Sequence, residues 1–332
     1  MRKLLATIVI TFLLIGLVIG WQLYVWLYVP MPIGTHAQSE VISIEKNSSA
    51  VTFVYELKHK SLIDSPRLFL MWIRLQGYAN KLKAGIYPIK PGETAQELLR
   101  HVVAGDVLVL PFQIIEGTTQ RHIMSQVEQL PYIVQQADVW AKIAEDHASA
   151  EGMLLADTYY YDAGSQSSAL LMTAHFNLNR YLNDAFAKRA TNLPYKTPYE
   201  LLIAASIIEK ETSNVKERRL IASVIVNRLR IRMPLQMDPT VIYALGSSYM
   251  GKLTHADLSV DSPFNTYKHY GLPPTPIAMV GRDAIDAAAH PEVTKLLYFV
   301  ASGNGCHHFS ETYEQQKKAI ADYKVKVESC QN

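Results

Sequence analysis

The chain has 332 residues, 49% of them apolar, and a formal net charge of only +2. That is enough apolar material for a sizeable core and more than one domain, and it excludes a disordered chain. It also excludes nucleic acid as the main partner, because phosphate binding needs a concentrated Lys/Arg surface and the basic residues here are scattered.

After Arg2 and Lys3, residues 4–31 carry no charged side chain, and the first acid is Glu40. At a rise of about 1.5 Å per residue such a run spans a hydrocarbon core of ~30 Å. The two positive charges at the short N-terminal end predict a cytoplasmic N-terminus. Trp21, Tyr24, Trp26 and Tyr28 cluster at the far end as interfacial aromatics do, which leaves the body outside the cytoplasm. A cleavable signal peptide is the alternative, but the run exceeds its usual apolar length of about 7–15 residues and no convincing small-x-small cleavage site follows. The expectation is an uncleaved anchor over residues 1–31. The only cysteines, Cys306 and Cys330, are permitted to pair in an oxidising compartment but not obliged to.

Residues 32–48 are polar with Pro, Gly and Ser and read as a linker holding the body off the membrane. A short domain is expected over residues 49–112. Residues 51–57 alternate like a strand, Ser65-Pro66 opens a helix, and Gly85-Ile86-Tyr87-Pro88-Ile89 reads as a second strand. Thr94 and Glu97 have capping-box spacing, which predicts a helix over 95–103 that stops before Gly105. The Lys90-Pro91-Gly92-Glu93-Thr94 opening followed by a short amphipathic helix resembles LysM-like modules, and the resemblance implies binding of glycans that contain N-acetylglucosamine. A plain structural module is the alternative.

From residue 113 to 332 the chain is helix-rich, with Thr118-Thr119 and Asp138 as helix starts. The aromatics Tyr159, Tyr160 and Tyr161 suit either core packing or stacking on sugar faces. Thr197-Pro198-Tyr199-Glu200 is a strong helix start: a hydroxyl at the cap, Pro in the first turn, and Glu three residues after the cap. Residues 201–208 then have only Ser206 as a polar break, so this helix is buried nearly all round. It delivers Ile207-Ile208-Glu209-Lys210-Glu211-Thr212. At about 100° per residue, Glu209 and Glu211 lie roughly 200° apart and cannot share one pocket, and spacing alone favours Glu211 only slightly as the acid among apolar neighbours.

This segment resembles the apolar-apolar-x-x-Glu-Ser/Thr signature of lytic transglycosylases, and the match assigns the catalytic role to Glu211. The resemblance to one family, the membrane-anchored endolytic murein transglycosylases of the YceG/MltG type, extends over nearly the whole chain. It is carried by Glu211-Thr212, Asn227-Arg228-Leu229, Leu235-Gln236-Met237-Asp238-Pro239-Thr240-Val241-Ile242-Tyr243, Phe264-Asn265-Thr266-Tyr267, Gly271-Leu272-Pro273-Pro274 and His307-His308-Phe309. The chain departs from the family pattern at Ala156, Ala244, Thr275, Cys306 and Gln316, none of which touches the Glu211 motif.

The resemblance implies non-hydrolytic cleavage between N-acetylmuramic acid and N-acetylglucosamine, with 1,6-anhydro ends and no cofactor. Glu211 would act first as acid and then as base, which requires a raised pKa that the apolar helix supplies by desolvation. A conventional glycosidase needs two carboxylates about 5–5.5 Å or about 6.5–9.5 Å apart. Asp238 is the candidate for a second one, yet Asp238-Pro239-Thr240 also reads as a helix cap, the reading favoured here.

Gln236 offers an amide donor and acceptor to a sugar or acetamido group. Asn265 and Tyr267 alternate in an extended segment and are expected to line the same cleft, shaped by a rigid turn at Gly271-Leu272-Pro273-Pro274. With Thr212 they complete the candidate substrate-binding set. His307 and His308 lack the companions of a metal site. Arg218, Arg219, Arg228, Arg230 and Arg232 read as a solvated face of a helix running from Asn214 to about residue 233, or as holders of peptide-stem carboxylates.

The expected architecture is α+β: an N-terminal transmembrane helix, a linker, a small LysM-like module and a larger helix-rich catalytic domain over 113–332. The expected activity is endolytic cleavage of nascent peptidoglycan strands that terminates their polymerisation. Peptidoglycan synthases, the penicillin-binding proteins, are the implied protein partners, and the location is the inner membrane with the catalytic domain in the periplasm. A hydrolytic muramidase using Glu211 with Asp238 or Asp157, and a non-catalytic glycan-binding scaffold, are the alternatives.

Overall fold

The computed structural model describes residues 2–32, 40–303 and 306–331. The protein is mixed α/β and falls into two compact units, Met1–Leu110 with Pro131–Ile133 and Tyr161–Ser165, and the remainder. Residues 33–39 of the linker expected over 32–48 and the side chain of Cys330 lie outside the described residues; Cys306 is exposed and has no disulfide partner among the described residues.

In the first unit α1 (Arg2–Tyr28) is long and apolar enough to cross a membrane, and its outward face is exposed over most of its length. There follow β1 (Val41–Ile44), α2 (Ala50–His59), α3 (Pro66–Leu75), β2 (Gly85–Pro88) and α4 (Ala95–Ala104). β1 and β2 pair antiparallel, from Val41 opposite Pro88 to Ile44 opposite Gly85. The strand expected over 51–57 is helical. Ser49 caps α2 by accepting the Thr52 N–H, and the buried residues Phe53, Val54 and Leu57 have the i, i+1, i+4 spacing of a helix face. The true first strand lies in what reads by composition as linker. The capping box at Thr94 and Glu97 forms as expected, and α4 ends on Gly105 at φ 85°, a left-handed position that glycine tolerates.

The core of this unit includes Ile42, Phe53, Leu57, Phe69, Ile73, Tyr87, Leu98 and Leu99, each contributing about 1.5–3 kcal/mol by leaving water. Trp26, from the last turns of α1, and Met31 belong to the same cluster. The Met31 N–H donates to the Glu93 carbonyl at 2.9 Å, and Pro30 bridges Thr94. Helix α1 is thus built into the unit it precedes. In the Lys90-Pro91-Gly92-Glu93-Thr94 turn, the Glu93 carboxylate accepts the Lys90 N–H and Thr94 caps α4, so the motif's acid and hydroxyl are used internally.

β3 (Val109–Gln113) pairs with β4 (Thr158–Asp162), and between them lie α5 (Gln120–Glu128) and α6 (Val139–Ala144). The second unit continues with α7 (Ser167–Ala187), α8 (Pro198–Glu211), α9 (Val215–Arg230), α10 (Asp238–Leu245), α11 (Arg282–Ala289), β5 (Tyr298–Gly303), β6 (Cys306–Ser310) and α12 (Tyr313–Gln331). Helix α8 is central: every residue from Leu201 to Glu209 is buried, and α7, α9, α10 and α11 all pack on it. Ser206, the one polar residue between Leu201 and Ile208, donates to the Ile203 carbonyl and accepts the Ile277 N–H, so its hydroxyl is not stranded. β5 and β6 form an antiparallel pair, irregular between Ala301 and Gly303.

Candidate active site

Helix α8 ends at Glu211, and the two acids of its last turn have different surroundings. Glu209 is buried and clamped: Arg218 Nη2 donates to its Oε1 at 2.7 Å, and the Gly281 N–H donates to Oε2 at 2.9 Å. Desolvation raises its pKa, and the Gly281 bond and the Arg218 charge oppose the rise. Both oxygens are committed, so Glu209 serves as a structural acid that ties α8 to α9 and to the start of α11.

Glu211 is half-buried, and among the described residues its carboxyl receives no hydrogen bond. Desolvation, with the nearby Asp238 charge adding to it and Arg228 opposing, pushes its pKa up to about 8. The carboxyl therefore arrives protonated near neutral pH, the state a general acid needs. Thr212 takes an extended conformation as the C-cap, and its hydroxyl accepts the Asn214 N–H at 3.0 Å. The chain thus turns sharply into α9 just after Glu211.

Arg228 is buried on α9, contrary to the solvated face expected for this group of arginines. Its Nε donates to the Leu297 carbonyl at 2.6 Å, and its Nη1 donates to the Pro234 and Leu235 carbonyls. All its partners are neutral, and burial lowers its pKa. Arg218 is buried as well. The signal was in the sequence: Arg218, Ile221, Ile225 and Arg228 follow the three-to-four-residue spacing of a buried helical face.

The segment held by Arg228 leads to Gln236, whose backbone lies at φ 50°, uncommon for a residue with a side chain. Leu235 and Met237 on either side are buried while Gln236 is exposed, which leaves its amide available to a ligand.

Asp238 is not the helix cap. Met237 occupies that position, Asp238 is the first helical residue, and its carboxylate accepts the Tyr267 hydroxyl at 2.6 Å. Burial and this carboxylate push the Tyr267 pKa up.

Asn265 does not line a cleft. It is fully buried, its amide donates to the Leu258 and Val260 carbonyls, and its oxygen accepts the Tyr267 N–H at 3.0 Å. An amide so engaged has little left for a sugar, and its work is to shape the loop that presents Tyr267.

Leu272, Pro273 and Pro274 border a cavity of 520 Å³ together with Thr197, Tyr199 and Glu200. Those residues begin α8, about 17 Å along the axis from Glu211, so the turn shapes the far end of the helix rather than the surroundings of Glu211.

His307, at the β6 end of the sheet, donates its backbone N–H to Glu217 Oε1 at 2.9 Å and places Nδ1 2.8 Å from Oε2. This fastens β6 to the first turn of α9, a contact sequence spacing gave no sign of. Asp157 pairs with Arg282 at 2.8 Å, which lowers the Asp157 pKa. Among the described residues no group of three His, Cys, Asp or Glu side chains is arranged to hold a metal ion.

The YceG-like family model matches residues 42–322. A protein named endolytic murein transglycosylase from Bacillus subtilis is 30% identical over 308 residues, covering 85% of this chain and 84% of its own. A protein of the same name from Streptococcus pneumoniae is 25% identical over 88% of this chain and 60% of its own length. The crystal structure of a yceG-like protein from Listeria monocytogenes is similar with a TM-score of 0.52 and 29% identity, over 85% of this chain and 99% of that one. With the family match running through both units and including Glu211, Arg228, Asp238 and Tyr267, this chain belongs to the YceG-like family.

Proposed function

We propose that this protein is an endolytic murein transglycosylase in which Glu211 serves in turn as acid and base. The observation that carries the reading is the Glu211 carboxyl at the end of a buried helix, its pKa raised to about 8. Protonated, it gives its proton to the oxygen bridging N-acetylmuramic acid and N-acetylglucosamine as the bond to the anomeric carbon breaks. The resulting carboxylate takes the proton of the muramic 6-hydroxyl, whose oxygen bonds to that carbon and closes the 1,6-anhydro ring. Arg228, whose charge favours the ionised form of Glu211, offsets the carboxylate formed midway. Gln236, Tyr267 and Thr212 are the proposed sugar contacts.

The wider reading follows from the same resemblance. Cleavage within nascent strands terminates glycan polymerisation beside the peptidoglycan synthases, α1 anchors the protein in the inner membrane with its N-terminus cytoplasmic, and the second unit faces the periplasm. The β-α-α-β order of the small unit supports a LysM-like glycan-binding module. Mass spectrometry of murein digested by the wild type, Glu211→Gln and Glu209→Gln tests the core claim. Anhydro-muramic ends should form with the wild type and vanish with Glu211→Gln, and full cleavage by that variant would sink the proposal in favour of a non-catalytic scaffold.

A second reading is supported by the position of Asp238, close enough to raise the Glu211 pKa. In a hydrolytic muramidase Asp238 would be the second carboxylate, and the products would carry reducing muramic acid instead.

A further inference from the structure

The anchor helix and α3 meet at Trp26. Its indole is buried edge-on against Phe69, with ring centroids 4.9 Å apart, and lies 6.3 Å from Trp72. The depth of that contact follows from helix geometry. Counted from Leu4, about 20 apolar residues cross the hydrocarbon core, so the crossing ends near residue 23 and Trp26 sits roughly 5 Å beyond it, at headgroup level. Trp21, Tyr24 and Tyr28, exposed and in contact along one side of α1, mark the same level. Whatever touches Trp26 is held at the surface of the bilayer.

Helix α3 is suited to that position. Phe69 and Ile73 face the core, and the opposite side carries Met71 and Leu75, 49% and 77% exposed, beside the half-buried Leu68. At about 100° per residue, Leu68, Met71 and Leu75 form one strip between the Trp72 side, which meets α1, and the exposed pair Arg67 and Arg74. The helix has two arginines and no acid. An apolar strip with a basic margin is the pattern of a helix lying in the membrane interface, attracted to anionic lipid.

We infer that α3 is a second membrane contact: its Leu68, Met71 and Leu75 strip lies in the outer interface of the bilayer, with Arg67 and Arg74 on anionic phospholipid headgroups. This rests on α1 being a membrane anchor. The small unit then lies on the membrane with a fixed face down, held at two points rather than on a tether.

The test uses the full chain with Cys306→Ser and Cys330→Ser, reconstituted in vesicles of phosphatidylethanolamine and phosphatidylglycerol. An environment-sensitive fluorophore is attached at Leu13→Cys, Met71→Cys or Leu75→Cys. Nitroxide-bearing lipid should quench the labels at 71 and 75 several-fold more than aqueous iodide does, and Arg67→Glu with Arg74→Glu should reverse that preference. If iodide quenches both labels while the one at 13 stays lipid-quenched, the anchor stands and the α3 contact is wrong. Labels at 71 and 75 shielded from both quenchers would equally overturn it, since a protein surface would then cover the strip. A water-exposed label at 13 would instead refute the anchor, and the α3 contact with it.

Discussion

The Tyr267 hydroxyl donates a 2.6 Å hydrogen bond to Asp238 Oδ1, joining the loop shaped by Asn265 to the first residue of α10. The bond fixes a carboxylate where its charge opposes ionisation of Glu211. Asp238→Asn should remove that opposition, so the alkaline limb of the pH–rate profile should move to lower pH while cleavage still yields anhydro ends. A loss of all activity, on the order of 10³-fold or more, would instead mark Asp238 as a reacting group.

Glu211 also links stability to pH. Its folded pKa of about 8 lies above the ordinary 4.5, so its contribution to stability is complete below about 4.5 and is lost as pH rises through 8. Between these values the wild type should lose stability relative to Glu211→Gln, by about 1–2 kcal/mol once partial solvent screening is allowed for. Denaturant unfolding of both proteins at pH 5 and pH 8.5 measures the difference, and parallel changes would contradict it.

Removing the partner of Glu209 should damage the fold rather than the chemistry alone. Arg218→Ala leaves a buried carboxylate with only the Gly281 N–H, a loss of about 3–5 kcal/mol. A fall in Tm should accompany any fall in rate, and a variant with unchanged Tm would show that the clamp is not structural.

Gln236 and Asn265 should separate cleanly. Asn265→Ala strands two carbonyls and one N–H in a buried loop, at about 1–3 kcal/mol for each unsatisfied group, so it should lower Tm. Gln236→Ala removes an exposed amide with no side-chain hydrogen bond among the described residues, and should raise KM for murein oligosaccharides by about tenfold with Tm unchanged.

What the sequence made legible was mostly local. The Thr197 hydroxyl caps α8 as its spacing predicts, although Glu200 reaches back to the Lys196 N–H rather than to the cap residue itself. Asn214 caps α9 as expected, and α9 ends at Arg230, a few residues early. The separation of Glu209 from Glu211 followed from helical geometry alone. What failed depended on tertiary contacts. Residues 51–57 alternate like a strand, but Ser49 nucleates a helix whose Phe53, Val54 and Leu57 find the core. Asp238-Pro239-Thr240 has the composition of a cap, yet Met237 takes the cap position and the Asp238 carboxylate turns to Tyr267, 29 residues away. Asn265 looked like a ligand because it alternates with Tyr267 in an extended segment, but its amide turns instead to the Leu258 and Val260 carbonyls, and only the fold decides what it meets.

Trp26 and Met31 give helix α1 a significance apart from its length. A form of this protein cut immediately after residue 31 would lose a buried indole and a buried thioether from the small unit, along with the Met31 bond to Glu93. The space left among Phe69, Trp72 and their neighbours is a cavity of the kind that costs about 3–5 kcal/mol for a deleted aromatic side chain. Removal of α1 is therefore coupled to loosening of the folded unit, and the boundary between the apolar helix and the domain lies inside the domain.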